Sequence, residues 1–185
     1  MGIPEPRNVR TDIRYGSRAF FVLTLLISYL RAIGTINLME VNHKLTIDIF
    51  GTDKYDTDAV PKLMIKKLRC NPNFKNVSSM TDNRFLIGTI NNKKIAVICG
   101  KEVSYDTFTD WVNKADIEEE CLMIFANTPQ HGKRYDFFKD FAKSRGYYFV
   151  ETSPMFMKIE TGFDVNPPFQ DFLIEQYAEM LLKLI

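Results

Sequence analysis

The chain has 185 residues, of which 45% are hydrophobic and 25% charged, with 24 lysines and arginines against 23 acids and a formal net charge of +1. That length holds one domain with a substantial core, and the scattered, balanced charge lacks the one-sided field that a nucleic-acid backbone requires. Cys70, Cys99 and Cys121 are widely spaced and form no CxxC or Cys/His pair, and His43 and His131 have no ligand partner at helical spacing. No metal site is expected, and buried thiols in a reducing compartment, cytoplasmic or nuclear, are.

Residues 1–42 read as an extension ahead of a domain over residues 43–185. Arg7, Arg10, Arg14 and Arg18 lead into the apolar run Ala19–Leu30, which Arg31 closes. The run is well short of the ~20 residues of a transmembrane helix. A helix packed in the fold or on a partner is the first reading and a targeting segment over residues 1–34 the second. Membrane association is expected only where residues 18–33 are exposed. Met39 offers a second in-frame start besides Met1.

Leu45–Phe50 reads as a strand, apolar apart from Thr46 and Asp48. A carboxylate in a strand covered on both faces needs a partner, or the strand lies near a sheet edge. Gly51 and the turn to Asp58 then lead into a helix to Leu68, with Val60, Leu63, Met64 and Leu68 on one face, Asp58 as its cap and Pro61 in its first turn. Strand, glycine turn and helix form the layout of a phosphate-binding loop. Its form, GxxxxGK[ST], needs a second glycine, a lysine and a hydroxyl. Counted from Gly51, those positions hold Asp56, Thr57 and Asp58, so two carboxylates face the place of the phosphates and repel them. Asp53, Asp56 and Asp58 are also a candidate metal or acid–base set at a strand end, although such clusters more commonly serve as solvated turns and caps.

Cys70 to Asn83, with Asn71-Pro-Asn73 and Ser78-Ser79, reads as loop. Arg84–Ile90 and Lys94–Gly100 are two strands joined by Asn91-Asn92-Lys93; the asparagines suit a tight hairpin, and a parallel pair would need another connection. Ser104–Ala115 places Phe108, Trp111, Val112 and Ala115 at helical spacing, with the tryptophan in the core. Glu118–Glu120 reads as a solvated loop. The unbroken apolar run Cys121–Ala126 suits a central parallel strand. A helix over Tyr135–Arg145, with Phe138, Phe141 and Ala142 inward, is closed by Gly146. A strand at Tyr147–Val150 follows. A terminal helix from Pro167 carries Phe169, Phe172, Leu173, Tyr177, Leu181 and Leu184 at i, i+3, i+4 spacing.

Alternating strands and helices imply a three-layer α/β domain with a mostly parallel sheet of about five or six strands. Their order over about residues 43 to 185 resembles the Ras-like small GTPase superfamily. Lys94 to Trp111, an apolar strand followed by Ser104-x-x-x-Phe108-x-x-Trp111, is similar to that family's fourth strand and next helix. Ala126-Asn127-Thr128-Pro129-Gln130 stands where the family has its NKxD guanine motif, with Thr128 replacing lysine and Gln130 replacing aspartate. Phe141-Ala142-x-x-x-Gly146 runs through a strand into Glu151-Thr152-Ser153, which matches the ETSA loop up to Pro154. Val165 and Phe169 resemble the start of the final helix.

The resemblance implies a P-loop GTPase-like topology and a pocket at Gly51, Asp56, Thr57, Asp58, Asn127, Gln130 and Ser153. The departures imply that this pocket has lost its nucleotide. Gln130 is neutral and offers one carbonyl acceptor where an aspartate would take two hydrogen bonds from guanine. Residues 83 to 101 contain no DxxG motif to hold magnesium and sense a γ-phosphate. No catalytic residue, cofactor or metal is therefore expected, and no prenylation box ends the chain.

Among degenerate members, Val150-Glu151-x-Ser153-Pro154 and the irregular insertion before the last helix resemble the alpha- and gamma-adaptin-binding protein family, whose pseudo-GTPase domain is implicated in assembling clathrin adaptor complexes. Centromere protein M, a kinetochore scaffold, is a second such family. The expected function is a non-catalytic protein-interaction and assembly module with protein partners and no nucleic acid. A metal-dependent enzyme using Asp53, Asp56 and Asp58, or a membrane-tethered small-GTPase-like protein, are the alternatives.

Overall fold

An antiparallel pair of strands runs into a parallel sheet with helices on both faces. The computed structural model describes residues 43–50, 58–129, 131–152 and 167–185, all within the unit His43–Ile185. Among these residues the strands are β1 (Leu45–Ile49), β2 (Lys75–Ser79), β3 (Phe85–Ile90), β4 (Lys93–Ile98), β5 (Met123–Ala126) and β6 (Tyr148–Thr152). The helices are α1 (Ala59–Arg69), α2 (Tyr105–Asn113), which a π-helical turn at Lys114–Glu118 prolongs, α3 (Lys133–Arg145) and α4 (Pro167–Leu182).

The sheet order is β2-β3-β4-β5-β1-β6, with β4, β5, β1 and β6 parallel and β2 and β3 antiparallel to their neighbours. The expected α/β architecture with a mostly parallel sheet is present. Side chains alternate across the strands, so each face builds its own core. Ile95 and Val97 of β4 join Ile47, Ile49 and Leu86 under α1 and α4, against Val60, Met64, Leu68, Ala178 and Leu181. Ala96 and Ile98 join Ile87 and Ile124 under α2 and α3, against Phe108, Val112, Phe138 and Ala142. Each large apolar side chain buried there contributes about 1.5–3 kcal/mol relative to exposure.

Local chemistry sets several boundaries. Ser104 is extended (φ −63°, ψ 160°) and its hydroxyl accepts from the backbone N–H of Thr107 at 3.1 Å, which starts α2. Gly146 is left-handed (φ 73°) and ends α3, and Phe138, Phe141 and Ala142 are the buried residues of that helix. Asn91 and Asn92 take φ of 51° and 62° and close the β3–β4 hairpin with Ile90 opposite Lys93, which resolves that pair as antiparallel. Trp111 is half-buried and stacks on Phe85 with centroids 5.0 Å apart.

Three local expectations are corrected. Residues 70 to 83 are not all loop, because Lys75–Ser79 forms β2 at the sheet edge. Its only apolar residue, Val77, is exposed, and pairing with β3 rather than propensity makes it a strand. In α4, Leu181 is buried and Tyr177 and Leu184 pack on the core as expected, but Phe172 is 53% exposed and Ile174 and Ala178 complete the inward face. In the acidic segment, Asp116 is buried within the π-helical turn and Glu119 pairs with Lys94 at 3.1 Å, so the solvated part is Glu118 and Glu120.

Candidate functional site

Open α/β sheets bind ligands beyond the carboxyl ends of their parallel strands, where the chain switches direction. Here β4, β5 and β1 end side by side at Gly100, Asn127 and Phe50. Asp48 is on β1, opposite Ala126 of β5 and Glu151 of β6, and is fully buried. The strand is central rather than at an edge, and the carboxylate does have a partner. It accepts from the backbone N–H of Thr128 at 3.1 Å and from the Thr128 hydroxyl at 2.9 Å. Burial pushes the Asp48 carboxyl up to about 7, the Thr128 bonds oppose that rise, and the charge of Glu151 adds to it.

Asn127 is the second node. Its side-chain oxygen accepts from the backbone N–H of Gly100 at 2.7 Å, and its side-chain nitrogen donates to the Asp58 carboxylate. Gly100 has no room for a larger residue, since a Cβ there would lie 2.5 Å from the Asn127 carbonyl oxygen and 2.6 Å from the Phe108 ring. Asp58 is 6% exposed, in the helical region of backbone space, and makes no side-chain cap to α1. The expected cap is thus replaced by a bond across to Asn127. An N-cap needs an extended residue, and Asp58 is already helical (φ −72°, ψ −21°).

At the end of β6 the Thr152 hydroxyl meets the Tyr177 hydroxyl of α4 at 2.5 Å, and burial holds the tyrosine above its ordinary range. Cys99 lies fully buried beside Gly100; burial first, then the nearby Asp58 charge, pushes its thiol up to about 12, which makes it inert as a nucleophile. Beyond β4, Glu102 pairs with Lys62 and lies 3.4 Å from Arg84, which also holds Asp82 at 3.1 Å.

Of the residues assigned to a degenerate nucleotide pocket, Asp58 and Asn127 are brought together. Gly51, Asp56, Thr57, Gln130 and Ser153 lie outside the described residues, as do Asp53 and the whole of residues 1–42. Sequence reads Thr128 only as the residue in place of a lysine, Tyr177 only as part of the terminal helix and Gly100 only as a strand end, whereas all three make polar contacts at this end of the sheet. The polar pair that ends an apolar strand, Asn127-Thr128, is the signal that marks two of the crevice's members. Among the described residues, no three His, Cys, Asp or Glu side chains are grouped to hold a metal ion, and no helix is long and apolar enough to cross a membrane.

Comparison with protein-family models, curated proteins and solved structures finds no match to this chain. The reading of the crevice therefore rests on its own chemistry. Both ends of the Asn127 amide and both oxygens of Asp48 bond to groups of the same chain, so neither side chain is turned outward to read a ligand.

Proposed function

We propose that the chain is a non-catalytic protein-interaction and assembly module on an α/β scaffold whose strand-end crevice no longer takes a nucleotide. The observation that carries this reading is Asn127. In the family that the sequence resembles, this position would serve the guanine base; in this chain the amide is spent on Gly100 and Asp58. On the same resemblance Asp58 would stand in the place of a magnesium-binding hydroxyl, where its negative charge would oppose a phosphate.

Kinship with the small GTPases, and a role in adaptor-complex assembly within it, are part of the same proposal. Local sequence supports them through Ser104, Phe108, Trp111, Asn127 and Glu151-Thr152-Ser153. The strand order adds no support for a P-loop GTPase topology, since β1 stands between β5 and β6 with β4 beyond β5. In the alternative of a metal-dependent enzyme, Asp58 would bring a carboxylate that one hydrogen bond from Asn127 already orients.

Calorimetric titration of the full chain with GTP and magnesium is the test. No saturable heat is the expected result, and micromolar binding would overturn the proposal. A pull-down with the full chain that retains a defined protein complex is its positive counterpart.

A further inference from the structure

The two edges of the sheet are built differently. At one edge β2 carries Lys75 and Asn76 and a bulge between Asn76 and Ser78, the charge and irregularity that keep an edge from pairing with another chain. At the other edge β6 reads Tyr-Phe-Val-Glu-Thr over residues 148–152, with no lysine, proline or glycine and an unbroken register on β1. Among the described residues β1 is its one neighbour. Tyrosine, phenylalanine, valine and threonine all favour strands. Tyr148 is 59% exposed and Val150 42%.

The bonds to β1 fix which backbone groups of β6 point outward. The Tyr148 N–H donates to the Lys44 carbonyl, and the Thr152 carbonyl accepts from the Phe50 N–H. Backbone groups alternate sides along a strand, so Tyr148, Val150 and Thr152 turn theirs to β1, while Phe149 and Glu151 turn theirs away from it. Side chains alternate between faces in the same way. Thr152 reaches Tyr177 of α4, which puts Tyr148 and Val150 on that face, and Phe149 packs on the opposite core.

An added strand complements such an edge, and this edge complements itself. Two copies related by a two-fold axis meet antiparallel. With the axis at Val150, Phe149 of each copy pairs with Glu151 of the other, and every outward N–H and C=O of these residues is bonded. An axis at Glu151 would set two carboxylates opposite each other. An axis at Phe149 would call on Tyr147, whose N–H already donates to the Ala142 carbonyl. The Val150 register suits the side chains too. Val150 faces its copy, Tyr148 faces Thr152, and Glu151 faces Phe149, next to the Tyr135 ring and the Lys139 ammonium that bonds the Tyr135 hydroxyl. The acid of each copy is thus carried toward the lysine of the other. We propose that β6 is a homodimerisation edge, through which two copies of this chain join their sheets antiparallel about an axis at Val150. The pairing is independent of the interaction-module reading.

Sedimentation velocity of the full chain over a concentration series is the test. A shift from monomer at about 1 μM toward dimer at about 100 μM is expected of a short edge contact. Glu151→Pro removes an outward N–H and no bond to β1, and Val150→Lys sets like charges on the axis with the backbone intact. Each should raise the dissociation constant at least about tenfold. Val150→Cys in a Cys70→Ser background should cross-link to a dimer on oxidation by diamide, since directly facing residues of this kind lie about 4.5 Å apart at Cα. Phe172→Cys in the same background, exposed but on α4, should not. A monomer at every concentration, indifference to either substitution, or cross-linking at residue 150 no greater than at residue 172 would overturn the assignment.

Discussion

Asp48 and Thr128 hold each other across the centre of the sheet, 80 residues apart in sequence, by two hydrogen bonds to one buried carboxylate. The threonine supplies both donors, so the carboxylate depends on it. Thr128→Val keeps the shape and removes the hydroxyl, leaving one oxygen of a buried acid unbonded. A loss of about 1–3 kcal/mol in urea unfolding is expected.

The same acid makes stability depend on pH. Its carboxyl sits at about 7 in the folded chain against an ordinary 3.8. It therefore holds its proton more tightly when folded, and the resulting penalty is absent below about pH 3.8, grows as pH rises, and is complete above about 7. The full difference is at most about 4 kcal/mol. Asp48→Asn keeps a hydrogen-bonding side chain without the charge. The variant should be more stable than the parent at pH 8 and close to it at pH 4, which denaturation series at the two pH values would show.

Asn127→Ala should cost about 2–4 kcal/mol in chemical denaturation, since it leaves the Gly100 N–H and the Asp58 carboxylate without their shared partner. Gly100→Ala acts on the same corner by crowding, with its added carbon too near the Asn127 carbonyl and the Phe108 ring. A loss of about 1–3 kcal/mol is expected. Measured together, the two should fall short of additivity, because they share one contact.

Asp116 joins elements far apart, with Lys44 at 2.8 Å, the Tyr147 hydroxyl at 2.9 Å and Arg145 at 3.5 Å. Asp116→Ala should cost about 1–2 kcal/mol, mostly for the acceptor taken from the buried Tyr147 hydroxyl, because Lys44 and Arg145 are partly exposed and regain water. Tyr147→Phe removes the hydroxyl whose single proton is shared between Asp116 and the Cys121 carbonyl, and should cost about 1–2 kcal/mol. Thermal unfolding of both variants would rank them.

The turn Asn91-Asn92 gives a test in the opposite direction. Asn92 has φ 62°, a conformation in which glycine carries no steric cost and a β-branched residue a large one. Asn92→Gly should be neutral or stabilising by a few tenths of a kcal/mol, and Asn92→Val should destabilise by about 1–2 kcal/mol.

What could be read from sequence were features with local causes. The unbroken apolar run at Cys121–Ala126 marks a strand flanked on both sides, the paired asparagines mark the hairpin, and Gly146 marks a helix end. β2 escaped because Lys75-Asn-Val-Ser-Ser79 has little strand propensity and is held by β3 alone. Periodicity placed α4 as a helix with Tyr177, Leu181 and Leu184 inward but took Phe172 over Ile174 and Ala178, because apolar residues occur on more than one face of this helix and spacing alone does not choose among them. In the crevice, Asp58 was read as a cap, the local use of an aspartate before a helix. Its bond to Asn127 spans 69 residues and no local pattern announces it. The order of strands, too, is a long-range property, and neither the alternation of elements nor a family likeness determined it.

That β1 is flanked by β5 and β6 also bears on how the chain is made. It emerges from the ribosome 80 residues before Thr128, and Thr46 waits 102 residues for the Tyr148 carbonyl its hydroxyl bonds. The β2–β3–β4 meander, whose contacts are local, can form in the interval, while β1 remains without either of the strands it pairs with. A nascent or truncated chain that stops short of Tyr148 therefore carries an apolar, hydrogen-bond-hungry strand that a chaperone or another copy can seize.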